Sequence, residues 1–298
     1  MRAPLDRHAL GRALTALANA GPGHVLQAPD AGLPSRGARR IGLTGAPGAG
    51  KSTLAGHLAL HRARQGRRVG VLAVDPSSPR SGGAILGDRI RMDELDGSAE
   101  LFIRSVGSRG TTDGLSDNLP EMLDLMDTHG FDEVVLETVG VGQAEYAARA
   151  QVDTLVLVLL PDSGDVVQAM KAGIMELADV FVVNKSDLPG AQKMATDIQR
   201  IGALARRAPR DWRPPVLLTS SAQPASIAAL SAELDRHQDW LAGSGEGEDR
   251  LLGRARYRVR RIIERRCAQV LARFDASQLR APVAEQVRLA LQEIGRMD

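Results

Sequence analysis

The sequence predicts an α/β protein in which a mostly parallel sheet is flanked by helices, with further helices at both ends of the chain. Short apolar runs typical of buried strands alternate with segments of helical periodicity. The strand–helix–strand segment at 41–75 leaves no room for a hairpin, so its two strands should be parallel. A length of 298 residues with 43 % hydrophobic content suits one large domain with appendages.

Composition argues against several classes of protein. Aromatic residues make up only 3 % of the chain, so the core must be aliphatic, and a net charge of +2 gives no argument for nucleic acid. The single Cys267 excludes a disulfide scaffold or a cysteine-based metal cluster within one chain. No run of about 18 apolar residues occurs. We therefore expect a cytoplasmic protein that binds neither membrane nor nucleic acid.

Residues 45–52, GAPGAGKS, carry the most informative motif and fit the pattern G-x-x-x-x-G-K-[ST]. The glycines let backbone N–H groups approach phosphate oxygens. Lys51 supplies a positive charge for the β- and γ-phosphates, and the Ser52 hydroxyl suits Mg²⁺. An apolar strand at 41–43 precedes the loop, and a helix follows whose N-terminal dipole favours the same anion. The sequence thus predicts a P-loop NTPase with phosphate contacts from Gly45, Ala46, Pro47, Gly48, Ala49, Gly50, Lys51, Ser52 and Thr53.

The segments around this loop predict its neighbours. Apolar residues at helical spacing between 5 and 18 predict an amphipathic helix. The strand at 68–75 ends in Asp75, which we expect near the Mg²⁺ shell because ligands gather at the carboxyl ends of parallel strands. Residues 76–92 are rich in Pro, Gly and Ser, hold Asp88, and predict a switch loop. Residues 104–110 predict a second flexible, basic stretch.

A strand at 131–140 follows a predicted helix at 115–128 and has the form of a Walker-B strand. Its Glu137 could hold Mg²⁺ through water, and the Gly140 N–H could sense the γ-phosphate. The remaining pattern predicts strands at 152–160, 178–183 and 215–222 and helices at 166–177 and 227–241.

The tetrapeptide NKSD at 184–187 follows a buried strand and selects the base. Asp187 can accept hydrogen bonds from the guanine N1–H and 2-amino group, whereas adenine would leave a buried Asp187 unpaired at a cost of several kcal/mol. Lys185 should lie along the base, and Asn184 should tie neighbouring loops together. Backbone N–H groups around Ser220, Ser221 and Ala222 could meet the guanine O6. These residues predict binding of GTP and GDP with Mg²⁺.

The C-terminal segment predicts a linker at 243–247 and then a long helix at 249–274 with an apolar stripe and many arginines opposite. The arginines could bind nucleic acid, or they could form a solvated face while the apolar stripe packs on a partner or on itself. We favour packing because Tyr257 is the only interleaved aromatic residue. We place an N-terminal helical extension at 1–36, the nucleotide domain at 37–242 and a C-terminal helical arm at 243–298.

With these motifs, the chain resembles the MeaB/ArgK/MMAA family of P-loop GTPases, which are chaperones of adenosylcobalamin-dependent acyl-CoA mutases such as methylmalonyl-CoA mutase. The resemblance is close over roughly residues 40–225. It is carried by the segments GLTGAPGAGKSTL, AVDPSSPRSGGAILGDRIRM, LETVGVGQAE, PDSGDVVQAMKAGIMELAD and NKSD. Asp113-Gly114 and Gln223-Pro224 depart from the family pattern.

The resemblance implies roles for particular residues. Asp75, Asp88 and Glu137 would surround Mg²⁺ and its waters. Residues 76–92 and 138–146 would be switches I and II. Residues 162–171, with Gln168 and Lys171, would be a further switch that signals to the mutase. The C-terminal helices would form a dimerisation arm, so we expect a homodimer.

The expected chemistry is GTP hydrolysis by in-line attack of water, with Lys51, Glu137 and Asp88 as the catalytic candidates. Val141 stands where Ras-like GTPases have a glutamine, and Gln143 is nearby without an assigned role, so intrinsic turnover should be slow. The leading hypothesis is a GTP-driven gate that controls cofactor loading of the mutase and protects it. A metal-insertion GTPase of the hydrogenase or urease maturation type is the alternative, although the histidines are scattered. A kinase that uses the same loop is a third possibility, and NKSD argues against it.

Overall fold

The computed structural model describes residues 3–23, 37–75, 99–108, 115–138, 143–161, 173–204, 208 and 211–296. Several expectations lie outside these residues. They concern the switch loop with Asp88, the Asp113-Gly114 pair, Gly140 and Val141, and the segment with Gln168 and Lys171.

In the described part of the chain, seven parallel strands form the sheet, in the order β3-β2-β4-β1-β5-β6-β7. Because every neighbouring pair is parallel, all the carboxyl ends lie along one edge of the sheet. This confirms the predicted fold class. The strands are β1 (Arg39–Thr44), β2 (Val69–Asp75), β3 (Leu101–Gly107), β4 (Glu133–Glu137), β5 (Thr154–Leu159), β6 (Val180–Asn184) and β7 (Val216–Thr219).

Helices cover both faces of the sheet, which explains why the central strands are buried along their whole length. The helices are α1 (Arg7–Asn19), α2 (Lys51–Arg64), α3 (Leu119–Thr128), α4 (Gln143–Arg149), α5 (Ala191–Leu204), α6 (Pro224–Ser244), α7 (Glu246–Leu271), α8 (Ala276–Arg280) and α9 (Val283–Gly295). One core cluster packs β2 and β4 against the side that carries α1 and α3, and a second packs β1 and β5 against α2 and α6.

The predicted N-terminal helix is confirmed as α1. Asp6 caps it by accepting a hydrogen bond of 2.8 Å from the Ala9 N–H. Its apolar side buries Leu10 and Leu14 in the cluster that includes α3.

Residues 104–107 are not the flexible stretch that their composition predicts. They belong to β3, which pairs with β2 in register from Val69↔Leu101 to Asp75↔Gly107. The side chain of Arg104 is accommodated at this sheet edge because its Nη2 donates to the Thr15 hydroxyl of α1 at 2.7 Å.

The predicted linker at 243–247 is also wrong. Helix α6 continues to Ser244, and α7 begins at Glu246. Gly245 alone joins them, with φ at 82°, a left-handed conformation that glycine adopts without strain. Of the predicted helix at 166–177, the described part contains a short 3₁₀ helix at Ile174–Glu176.

Aspartates at the amino-terminal edge of the sheet accept hydrogen bonds from the first N–H groups of neighbouring strands. Asp132 accepts from Arg68 at 2.7 Å, Asp153 from Arg40 at 2.7 Å, and Asp179 from Leu155 at 2.8 Å. These carboxylates satisfy backbone donors that would otherwise be unpaired at the start of each strand. They also concentrate negative charge on the edge opposite the phosphate loop.

Helix α7 places arginines against this charge, and Arg266 of the same helix is buried as well, so the predicted solvated arginine face is wrong for six of them. Arg250 pairs with Asp179 and Arg254 with Asp153, while Arg258, Arg261 and Arg265 reach acidic or amide side chains on and before α3. The apolar residues Leu252, Val259 and Ile263 of the same helix are exposed.

Candidate nucleotide site

The carboxyl ends of five strands bring the predicted site residues to one edge of the sheet. The phosphate loop follows β1, Asp75 ends β2, and Glu137 ends β4. The register places Glu137 opposite Leu43 of β1 and Ala73 of β2, so the loop and both carboxylates are neighbours. Asn184 ends β6 and Ser220 follows β7, which completes the edge.

The phosphate loop depends on glycine at two positions. Gly45 has φ at 139°, and a Cβ there would lie 2.0 Å from the Val158 carbonyl oxygen of β5. Gly50 caps α2 with φ at 85°, and a Cβ there would lie 2.6 Å from the Asn184 Nδ2. The loop therefore packs directly against its neighbouring strands, which holds its backbone N–H groups in place for an anion.

Lys51 is buried within this loop. Its Nζ donates to the carbonyl oxygens of Gly45 at 2.8 Å and Ala46 at 3.0 Å. The ammonium group thus lies against the carbonyl oxygens at the start of the loop.

Three oxygen-bearing side chains next to the loop fit a hard divalent cation. The Ser52 hydroxyl donates to Glu137 Oε1 at 2.5 Å, and Asp75 lies at the end of the adjacent strand. Mg²⁺ is bound by one or two carboxylates together with phosphate oxygens and water, so this donor set suits it when a nucleotide is present. Asp88, the fourth predicted ligand, lies outside the described residues. Thr53 is exposed on the first turn of α2.

Asn184 connects the segment that should read the base to the phosphate loop. Its Nδ2 donates to the Ala49 carbonyl at 2.8 Å, and its Oδ1 accepts from the Thr219 hydroxyl at 2.9 Å. Lys185 has φ at 54°, and its Nζ donates to the Gly48 carbonyl at 3.1 Å. Both residues therefore fasten the end of β6 to the loop.

Asp187 differs from the sequence-based picture because it is exposed rather than buried. Its Oδ1 accepts a hydrogen bond of 2.6 Å from the Ser220 hydroxyl, and this bond lowers the pKa of the carboxyl. The carboxylate is thus ionised and oriented. Discrimination between bases then requires that the bound base itself cover Asp187. Ser221 and Ala222 are exposed beside it, and the Ala222 N–H donates to the hydroxyl oxygen of Ser220 at 3.3 Å.

Glu145 is a residue of this region that sequence reasoning did not single out. It lies in the first turn of α4, is 2 % exposed, and its Oε2 has no hydrogen-bond partner among the described residues. Burial raises the pKa of its carboxyl, and the nearby charge of Lys51 partly opposes that rise. In the sequence, Glu145 is the last residue of the segment LETVGVGQAE, and that segment indicates a switch region without distinguishing this acid from its neighbours. The side chain of Gln143, two residues earlier, lies outside the described part of the structure.

Comparison with known proteins identifies relatives of this chain. The family described as methylmalonyl-CoA mutase-associated GTPase MeaB matches residues 10–276. A probable GTPase of Mycobacterium tuberculosis is 42 % identical over 256 residues, which cover 82 % of this chain and 75 % of that protein. The mitochondrial methylmalonic aciduria type A homolog of Mus musculus is 40 % identical over 211 residues, which cover 70 % and 51 %. The crystal structure of an LAO/AO transport system kinase aligns with a TM-score of 0.66 at 27 % identity, covering 98 % and 93 %.

Proposed function

We propose that this chain, which belongs to the family of methylmalonyl-CoA mutase-associated GTPases, uses GTP hydrolysis to gate cofactor loading of an adenosylcobalamin-dependent acyl-CoA mutase and to protect that mutase. The chain is a P-loop GTP hydrolase, as its family and its curated relatives are. That a mutase is the partner of this GTPase is the proposal, and the description of the family and the name of the mouse relative support it.

One observation carries the nucleotide assignment. The two hydrogen bonds of Asn184 fix the end of β6 to the phosphate loop at Ala49 and to β7 at Thr219. These bonds hold together the segments that we propose bind the phosphates and the base, which supports a single nucleotide site. An anion-binding loop next to an ionised, oriented Asp187 suits a guanosine phosphate.

Hydrolysis at this site depends mainly on charge stabilisation. Lys51 would leave the carbonyls of Gly45 and Ala46 for the β- and γ-phosphate oxygens, while the loop N–H groups contact the same oxygens. Ser52, Asp75 and Glu137, with Asp88, would hold Mg²⁺, which neutralises charge on the phosphates when it is bound. Intrinsic turnover should be slow, because the sequence has Val141 where Ras-like GTPases have a glutamine.

The first experiment measures hydrolysis of GTP and ATP, each with and without an adenosylcobalamin-dependent acyl-CoA mutase from the same source. We expect hydrolysis of GTP alone, at a rate that rises when the mutase is present. A GTP hydrolysis rate that stays the same when the mutase is added would favour the metal-insertion GTPase. A preference for ATP, or transfer of the phosphoryl group to a small acceptor, would favour the kinase.

A matched pair of lysine variants controls that experiment. Lys51→Ala should reduce turnover by at least about 10²-fold, the typical cost of removing one donor that stabilises transition-state charge. Lys193→Ala removes an exposed lysine of α5 and should leave turnover unchanged. Equal turnover in the two variants would contradict the role of Lys51.

We also propose that the protein is a homodimer through its C-terminal helices. Large apolar side chains on α7 and α9 are exposed, and contiguous exposed apolar surface marks interaction sites. These residues are Leu252, Val259, Ile263, Val283, Val287 and Leu291. The double variant Val259→Glu, Ile263→Glu should be monomeric in analytical ultracentrifugation, whereas Leu188→Glu, at an exposed apolar residue away from these helices, should behave as wild type. A double variant that keeps the wild-type mass would contradict this interface.

The other expectations about the setting stay predictions, namely a cytoplasmic location and the absence of membrane and nucleic-acid partners. Within the described ranges, no helix combines the length and the apolar character that a membrane crossing requires.

A further inference from the structure

One buried carboxylate, Asp179, joins three helices at the amino-terminal edge of the sheet. Arg149, the last residue of α4, donates from Nη1 to Oδ2 at 2.8 Å. Arg250 of α7 donates to Oδ2 at 3.1 Å and to Oδ1 at 3.0 Å. His237 of α6 is fully buried and places its Nε2 3.4 Å from Oδ1. We call these four residues the Asp179 junction.

The two arginines of the junction compete for one oxygen atom. Oδ2 of Asp179 accepts from Arg149, from Arg250 and from the Leu155 N–H at 2.8 Å. A carboxylate oxygen has two lone pairs, so three donors cannot all bond to it in ideal geometry. The arginines also repel each other: burial lowers the pKa of Arg149, and the charge of Arg250 lowers it further, while Asp179 opposes both effects. A closer contact by either arginine therefore weakens the contact of the other.

Asp179 remains negatively charged despite its burial. Burial alone would raise the pKa of its carboxyl, but the adjacent His237 and the charges of Arg149 and Arg250 together hold it well below its usual value. The competition for its oxygens is thus between full charges and has a large electrostatic component.

The helices that meet at the junction lead to different parts of the molecule. Helix α4 begins at residue 143 on the nucleotide edge and carries Glu145 close to Lys51. Its seven residues span about 10 Å and end with Arg149 at the opposite edge. Helix α7 begins at Glu246 and continues into the exposed apolar surface of the C-terminal helices.

We propose that the Asp179 junction couples the nucleotide site to the C-terminal helices through the competition of Arg149 and Arg250 for Asp179. The inference rests on the proposed function, because it names the regulation of that same site. A change in the nucleotide that tightens α4 on Asp179 loosens α7. By the reciprocity of linked equilibria, a partner that draws α7 away tightens α4.

Amide hydrogen exchange on the nucleotide-free, full-length protein tests this competition. In Arg250→Gln, Arg149 no longer competes with Arg250 for Asp179, so the amides of α4 should exchange more slowly and those at the start of α7 faster. Arg149→Gln should give the reverse pattern. We expect a change of about fivefold or more, the lower end of typical coupling between sites.

The control variant is Arg254→Gln. Arg254 lies one turn further along α7 and pairs with Asp153 instead of Asp179, so exchange in α4 should stay at the wild-type rate. A purely structural ion cluster predicts faster exchange in both helices for both junction variants, and that result would overturn the proposal. Arg250→Lys, which keeps the charge but loses the two-pronged contact, should fall between wild type and Arg250→Gln.

Tryptophan emission supplies a readout that includes nucleotide, because both tryptophans of the chain lie at the junction. Trp212 Nε1 donates to the Asp179 carbonyl at 2.6 Å, and the rings of Trp212 and Trp240 lie 4.7 and 5.6 Å from the His237 ring. A non-hydrolysable GTP analogue and GDP should give different emission in wild type and Arg254→Gln. That difference should disappear in Arg149→Gln and Arg250→Gln.

The two measurements separate failure of the junction from failure of the proposed function. If guanine nucleotides do not bind, emission stays constant in every variant, yet the opposite exchange responses of α4 and α7 still support the competition. If nucleotides bind and are hydrolysed but both helices respond alike to each substitution, GTP hydrolysis stands and the coupling through Asp179 is wrong.

Discussion

An alanine at position 45 should disrupt the phosphate loop far more than an alanine at position 48. Both glycines have positive φ, at 139° and 81°. A Cβ at Gly48 would meet no atom within 4 Å, whereas a Cβ at Gly45 would lie 2.0 Å from the Val158 oxygen. The pair therefore separates backbone strain, which both variants share, from a steric clash that only Gly45→Ala creates.

The magnitudes follow from these contacts. A non-glycine residue with positive φ costs about 1–3 kcal/mol, and this is the whole expected loss of unfolding free energy for Gly48→Ala. A carbon–oxygen contact normally requires about 3.3 Å, so the clash at Gly45 forces a shift of about 1 Å in β5 or the loop. Forced shifts of a packed core cost a further 1–3 kcal/mol or so, and a weakened ladder hydrogen bond adds about 1 kcal/mol. We expect a total loss of about 3–7 kcal/mol for Gly45→Ala.

Urea denaturation at equilibrium measures the unfolding free energy of both variants and of the wild type. Calorimetric titration with GDP measures the nucleotide affinity of the fraction that folds. Gly45→Ala should also lose GDP affinity because its loop can no longer follow β5. Equal unfolding free energies for the two variants would show that the clash is relieved without cost and would refute this reasoning.

Three further substitutions test separate parts of the structure. Asp187→Ala should reduce the preference for GDP over ADP by about 10- to 100-fold in competition binding, the cost of unpaired base donors, and an unchanged preference would contradict guanine reading. Glu145→Gln should stabilise the protein at pH 7. Because the pKa of this carboxyl is raised, the folded state binds its proton more tightly than the unfolded state does, and the stability of the wild type therefore falls as the pH rises above the usual pKa of 4.5. Glutamine does not ionise, so the variant does not lose this stability. The difference should vanish in melts well below pH 4.5, and a constant difference would refute the assignment. Glu133→Gln should cost about 3–5 kcal/mol in denaturation because its buried carboxylate pairs with Arg62 and Arg67, while Arg200→Gln, at a 77 % exposed side chain, should change stability by less than about 0.5 kcal/mol.

The parts of the fold that sequence predicted well are those where a local pattern has one physical solution. The loop at 45–52 requires glycine conformations between a strand and a helix, so β1 and α2 were located together. Continuous apolar runs predict the ends of β2, β5 and β6 to within two residues. This works because strands that are covered on both faces are apolar throughout and do not alternate between apolar and polar residues.

Strand β3 was missed because its pairing is not local. Arg104 and Ser105 interrupt its apolar run, and isolated segments of that composition are often loops. The neighbouring β2, distant along the chain, supplies the hydrogen bonds that make this segment a strand, and Thr15 of α1 supplies an acceptor for Arg104. The same limit applies to Glu145, because burial beside Lys51 depends on how α4 packs on the sheet.

The orientation of α7 shows a different limit of sequence reasoning. An amphipathic helix normally turns its apolar side inward, and the sequence defines two sides without stating which is inward. Here α3 and the starts of β5 and β6 present buried or half-buried acids, and each needs a cation, since an unpaired buried carboxylate is costly. Arginine meets that need with two-pronged contacts that lysine cannot make. Once these arginines of α7 face α3 and the strand starts, the exposed side of the helix carries Val259 and Ile263 beside the charged Arg260 and Glu264, so the acids of α3 and the strand starts determine indirectly which apolar side chains of α7 stay open to a partner.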